Sequence, residues 1–115
     1  MIKVKRVYEK PEAADGFRVL VDRLWPRGLT KEKAKVDLWM KEIAPSDALR
    51  QSFHHESLKW HDFEKKYQAE LKNKKAPLAE LKRLEKDHGT VTLLFGARDL
   101  ENNQAVILAS ALKTR

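Results

Sequence analysis

Arg18–Gly28 reads RVLVDRLWPRG, and its change of character at the midpoint decides the fold class. Val19-Leu20-Val21 is an apolar run that stops at Asp22-Arg23, and the stiff segment Leu24-Trp25-Pro26-Arg27-Gly28 follows at once. The pattern describes a buried strand, Phe17 to Asp22, carrying charges and an indole to the end of a sheet, where open α/β sheets place their ligands. Such a strand needs neighbours of its own kind. Thr90 to Phe95 is a second continuous apolar run, central and buried on both sides, and it closes in the turn Gly96-Ala97-Arg98-Asp99. Met1 to Tyr8 alternates Ile2, Val4 and Val7 with Lys3, Lys5 and Arg6, imperfectly, and reads as a third strand.

Only eight residues separate the strands ending at Tyr8 and starting at Phe17. That is too few for a helical crossover, so an antiparallel hairpin is expected; a single helical turn near Glu12-Ala13-Ala14 leaves a parallel pair open. Thr30 is placed to cap a short helix over Lys31 to Ala34. Val36, Leu38 and Met40 alternate with Asp37, Trp39 and Lys41 as a short edge strand. Pro45-Ser46-Asp47 starts a helix with Ser46 as its cap, and Leu49 and Phe53 give its inward face. Trp60, Phe63, Tyr67 and Leu71 form one stripe of a helix over Ser57 to Lys72, with Asn73 to Ala76 as its exit. Pro77 suits the first position of the next helix, striped by Leu78, Leu81 and Leu84 and ended by Gly89. Asn102 or Asn103 caps the last helix, whose Ala105, Leu108, Ala109 and Leu112 face the sheet. The order β-β-(β)-α-α-α-β-α predicts a single α/β domain with a small, mostly parallel sheet and helices packed on it.

The chain has 115 residues, enough for one core, and its 42% hydrophobic content argues against disorder. No apolar stretch approaches the roughly eighteen residues of a membrane span, and no signal-peptide core opens the chain. The absence of cysteine excludes disulfides, thiolate metal sites and cysteine nucleophiles, and fits a cytoplasmic protein. A net charge of +7 favours anionic partners such as nucleotides, phosphorylated metabolites or nucleic acid. The basic residues are interleaved with acidic ones, as on the solvated faces of helices, whereas a nucleic-acid footprint needs charge gathered on one face.

If the strands ending at Asp22-Arg23 and Arg98-Asp99 are parallel neighbours, both turns meet at one sheet edge, beside the N-terminus of the last helix. Arg23, Arg27 and Arg98 then suit a phosphate or carboxylate, because guanidinium matches both in bidentate geometry. Asp22 suits orienting an arginine, accepting a hydroxyl or acting as a base. Two readings stand side by side: a ligand pocket, or an Asp22 that pairs with Arg98 or Arg23 merely to tie strand ends together. Trp25 likewise reads as a stacking wall beside an anion clamp or as a cap on the core. His54-His55-Glu56 with His61 invites a metal, but His54 and His61 lie seven apart rather than at the four-residue spacing of helical ligand pairs, so no metal is expected. No nucleophile–base pair, glycine-rich phosphate loop or cofactor motif is legible, which leans away from an enzyme. The reading is an anion-binding domain; the alternative is a nucleic-acid- or protein-binding adaptor using basic helix faces.

LVDRLWPRG (20–28), WMKEIAPS (39–46), LRQSFHH (49–55), TLLFGARD (92–99) and NNQA (102–105) together resemble the YeaO-like branch of the bacterial domain of unknown function 488 family. The resemblance covers nearly the whole chain and implies a compact cytoplasmic α/β domain without an assigned reaction. It also implies a cysteine after the strand matching Thr92 to Phe95 and a Cys-His-Arg group opening the next helix. This sequence has Gly96 and Asn103-Gln104-Ala105 there. Thiol-dependent chemistry therefore does not transfer, while Asp22, Arg23, Arg27, Arg98 and Asn103 still match a set suited to binding.

Overall fold

A computed structural model describes residues 1–54 and 59–114. Four strands, β1 (Ile2–Arg6), β2 (Phe17–Leu20), β3 (Leu38–Trp39) and β4 (Val91–Phe95), form one sheet in the order β1-β4-β2-β3. All three pairings are parallel. The helices are α1 (Lys31–Ala34), α2 (Asp47–His54), α3 (Trp60–Leu71), α4 (Lys75–His88) and α5 (Gln104–Lys113). The expected α/β architecture is observed.

The expected hairpin is not. β1 and β2 run parallel and are not paired with each other, because β4 lies between them, paired to Ile2–Arg6 on one side and Phe17–Leu20 on the other. The reason lies in β4 itself. All five of its residues are buried, and a strand without a polar face is accommodated only where neighbours flank it and layers cover both faces. The short connection is accommodated by a 3-10 turn at Ala13–Asp15 and by Gly16, which has φ 65°. A Cβ there would lie 2.4 Å from the Thr90 carbonyl oxygen, and Phe17 N–H donates to that same oxygen at 3.0 Å.

Ile2, Val19, Val21, Val91, Leu93 and Phe95 face a helix layer that contributes Leu78, Leu81 and Leu84 from α4 and Ala105, Leu108, Ala109 and Leu112 from α5. Phe63, Tyr67 and Leu71 of α3 complete this core. The opposite face is half apolar and half ionic. Val7, Leu20 and Leu94 pack under Ala34, Trp25, Leu29, Val36 and Trp39. Beside them Arg18, only 4% exposed, pairs with Asp15 and donates to the Ala34 and Lys35 carbonyls at 2.8 and 3.0 Å. Lys5 reaches the same carboxylate at 3.1 Å. This buried charge is tolerable because every guanidinium nitrogen has an acceptor.

Local signals set the element ends. Thr30 caps α1, accepting from Lys33 N–H at 3.1 Å, and Ser46 caps α2, accepting from Leu49 N–H at 3.2 Å. Gly89 ends α4 at φ 80°. The observed strands are shorter than expected, β1 running Ile2–Arg6 and β3 Leu38–Trp39. β2 ends at Leu20 rather than Asp22, and α4 starts at Lys75, so Pro77 sits third rather than first; a missing N–H still costs nothing in the first turn. The expected start of α3 at Ser57 falls outside the described residues. No described helix is long and apolar enough to cross a membrane.

Candidate functional site

Because β2 and β4 are parallel neighbours, their carboxyl ends arrive together. Val21 N–H donates to the Leu94 carbonyl at 3.0 Å, which brings Asp22 against Gly96. Gly96 N–H donates to Asp22 Oδ2 at 2.8 Å, and Gln104 at the start of α5 donates from Nε2 to Oδ1. The Asp22 carbonyl accepts from Trp39 Nε1 at 2.7 Å, so its main chain is pinned as well. Burial pushes the Asp22 carboxyl up to about 6, against the two hydrogen bonds that favour its charge.

Arg23 turns the other way. Its Nε donates to the Pro45 carbonyl at 3.0 Å, and Nη2 reaches the Ala44 carbonyl at 3.5 Å. Ala44 also accepts from Lys74 Nζ at 2.7 Å, and the preceding carbonyl, Ile43, accepts from the Tyr67 hydroxyl at 2.6 Å. Three consecutive carbonyls are thus held by long side chains, which fixes the entry to α2. Arg23 and Arg50 share Asp47, at 3.7 and 3.5 Å.

Between these groups lies a cleft of about 270 Å³. Asp22, Gln104 and Asn103 line it from the sheet and α5, Arg23 and Arg50 from the α2 side. Leu24, Pro45, Phe53 and Phe63 make its apolar surface. Arg50 Nε is buried and has no hydrogen-bond partner among the described residues. Asn103 is committed to the helix: Oδ1 accepts from Val106 N–H at 3.1 Å, and Nδ2 donates to the Asp99 carbonyl at 2.9 Å.

The residues singled out in the sequence divide accordingly. Asp22, Arg23 and Asn103 converge on the cleft. Asp22 ties strand end to helix start through Gly96 and Gln104, not through an arginine. Arg27 and Arg98 are exposed and lie outside the cleft lining, and the Arg27 carbonyl accepts from the Tyr8 hydroxyl at 2.8 Å. Trp25 packs edge-on to Trp39 with ring centres 5.4 Å apart and donates to the Leu29 carbonyl at 2.6 Å. It acts as a lid on the second core and reaches Asp22 only through Trp39. Arg50 and Gln104 are site residues that the sequence reading does not pick out, and Phe53 and Phe63 are legible there only as inward-facing helix residues. For Arg50 the sequence carries no such signal: Asp47 three residues earlier makes it read as an ordinary helix-surface pair. His55 and Glu56 lie outside the described residues, and no group of three or more His, Asp or Glu side chains able to hold a metal ion occurs among those described.

Residues 1–115 match a family profile described as the inactive DUF488-N3 subclade. The chain is 42% identical to the uncharacterized protein YeaO of Escherichia coli over 113 residues, covering 98% of this chain and 97% of that protein. It is 40% identical to the uncharacterized protein Rv3073c of Mycobacterium tuberculosis over 114 residues, 99% and 95% of the two chains. No solved structure matches it.

Proposed function

Because the chain belongs to the inactive DUF488-N3 subclade, we propose that it is a cytoplasmic module that binds a small anionic ligand, without transforming it, in the cleft between Asp22 and Arg50. The observation that carries this reading is the pair of guanidiniums on one wall, with Arg50 Nε buried and lacking any acceptor among the described residues. A buried charged donor without a partner is costly, and a carboxylate or phosphate oxygen is the acceptor it lacks. The N-terminus of α5 adds a favourable field on the same side as Asn103 and Gln104. Arg98, exposed and next in sequence to the lining residue Ala97, is the contact a ligand would meet if it extended outward.

Thermal-shift titration with inorganic phosphate, adenosine monophosphate and small carboxylates tests this. A saturating ligand at about a hundred times Kd stabilises by about 2.7 kcal/mol. Arg50→Met removes the response, while Arg98→Ala leaves binding of a small ligand intact. Salt separates the module from a nucleic-acid adaptor: a one-anion cleft responds weakly, whereas several phosphate contacts give a steep loss of affinity. Tight, steeply salt-dependent oligonucleotide binding that survives Arg50→Met would refute the proposal in favour of the adaptor.

A further inference from the structure

The cleft holds two charged groups of opposite sign that are not paired with each other. Arg50 Nε has no acceptor among the described residues, and the nearest acid to its guanidinium, Asp47 at 3.5 Å, is exposed. Asp22 accepts only from neutral donors, the Gly96 N–H and the Gln104 amide, and no described cation comes within ion-pair reach of it. Asp22 is anchored to the β4–α5 segment and Arg23 to the carbonyls before α2, so the charges stay segregated across the cavity. A plain anion answers the arginine wall and leaves Asp22 without a countercharge.

We infer that the cleft takes a small zwitterionic acid of the amino-acid type, its carboxylate on Arg50, its ammonium group on Asp22 and its apolar body on Phe53 and Phe63. This rests on the anion-binding reading above and specifies its ligand. The size agrees: about 270 Å³ lies just below the usual range of ligand cavities and suits one compact molecule rather than a dinucleotide. The apolar lining agrees too, since the Phe53 and Phe63 rings pack tilted against each other with centres 4.5 Å apart and continue to Trp60. The carboxyl pushed up to about 6 is what a buried carboxylate without a cation shows, and an arriving ammonium group reverses it. The charged or titratable groups that face it are Arg23 and Arg50 in the cleft lining, both paired with the exposed Asp47, and Tyr67, whose hydroxyl feels the Asp22 charge.

Isothermal titration of the full chain at pH 6 with L-phenylalanine, L-leucine, 3-phenylpropanoate, 2-phenylethylamine and inorganic phosphate decides the matter. L-phenylalanine or L-leucine is expected to bind about tenfold or more tighter than the amine-free acid and the acid-free amine. Binding of the amino acid releases up to about half a proton as Asp22 ionises, whereas an amine-free acid takes protons up. Asp22→Asn removes the advantage of the amino acid and spares 3-phenylpropanoate, while Arg50→Met weakens both. Equal or tighter binding of 3-phenylpropanoate or phosphate overturns the zwitterion and leaves the anion site standing. If none of the five binds, both readings fall.

Discussion

Replacing Asp22 by asparagine should stabilise the protein at neutral pH and flatten its stability between pH 5 and 7. The carboxyl is raised from 3.8 to about 6 because burial disfavours its charge more than the Gly96 and Gln104 hydrogen bonds favour it. A group whose pKa is higher folded than unfolded binds more protons in the native state. Its contribution is therefore complete below the unfolded value and lost as pH rises through the folded one. At 1.36 kcal/mol per pH unit, the gap from 3.8 to about 6 amounts to about 3 kcal/mol, of which about 1.3 kcal/mol falls between pH 5 and 7. Asp15, Glu80, Glu85 and Asp99 are all held below their ordinary values, so their contributions vanish as pH falls and act below this window. Asparagine keeps an acceptor for the Gly96 N–H, and a turned Gln104 amide can offer its oxygen to the new NH2 group. Urea unfolding at pH 5, 6 and 7 reads the effect directly. The wild-type chain should lose about 1.3 kcal/mol across the series, and the variant should gain about 1 to 3 kcal/mol at pH 7 with little slope. A wild-type profile that is flat or rises from pH 5 to 7 would refute the argument, as would a variant that keeps the wild-type slope.

Three further substitutions probe the frame. Gly16→Ala forces a Cβ to 2.4 Å from the Thr90 carbonyl at φ 65° and should cost at least about 2 kcal/mol in urea unfolding; a loss under about 0.5 kcal/mol would show the turn to be pliable. Lys35, at φ 48° and ψ 47° after α1, is the one described non-glycine residue in the left-handed region, so Lys35→Gly should gain about 0.5 to 1 kcal/mol, read as a higher melting temperature. Tyr67→Phe removes the buried hydroxyl that serves the Ile43 carbonyl at 2.6 Å and should cost about 1 to 2 kcal/mol in calorimetry; no loss would mean that carbonyl finds water.

What the sequence made legible is what short-range chemistry controls. The apolar run of β4, the caps Thr30 and Ser46 and the stop at Gly89 each depend on a few consecutive residues and are legible in place, while the cap of α5 is legible to within one residue, Asn102 or Asn103. The strand order was not legible. The short connection between Tyr8 and Phe17 looks like a hairpin until β4 competes for both edges, and that competition comes from the far end of the chain. The site divided along the same line. Asp22 and Arg23 follow from strand and turn, but Arg50 joins them only because three carbonyls before α2 are clamped by Arg23, Tyr67 and Lys74. Nothing around Arg50 in the sequence distinguishes it from a surface arginine paired with Asp47 three residues earlier. Trp25 went to the second core because Leu20 and Leu94 need cover on that face.

The place of β4 also sets the order in which this molecule can be made. β1 and β2 lie within the first twenty residues, yet the strand that joins them begins at Val91. During synthesis the helices between can form from local contacts, but β1 has no sheet partner until the last quarter of the chain has been made. Folding then waits on a long loop closure, which favours a slow, late, all-at-once step over stepwise growth. A nascent chain stalled before Val91 would expose the bare edges of β1 and β2, an invitation to chaperones and to aggregation.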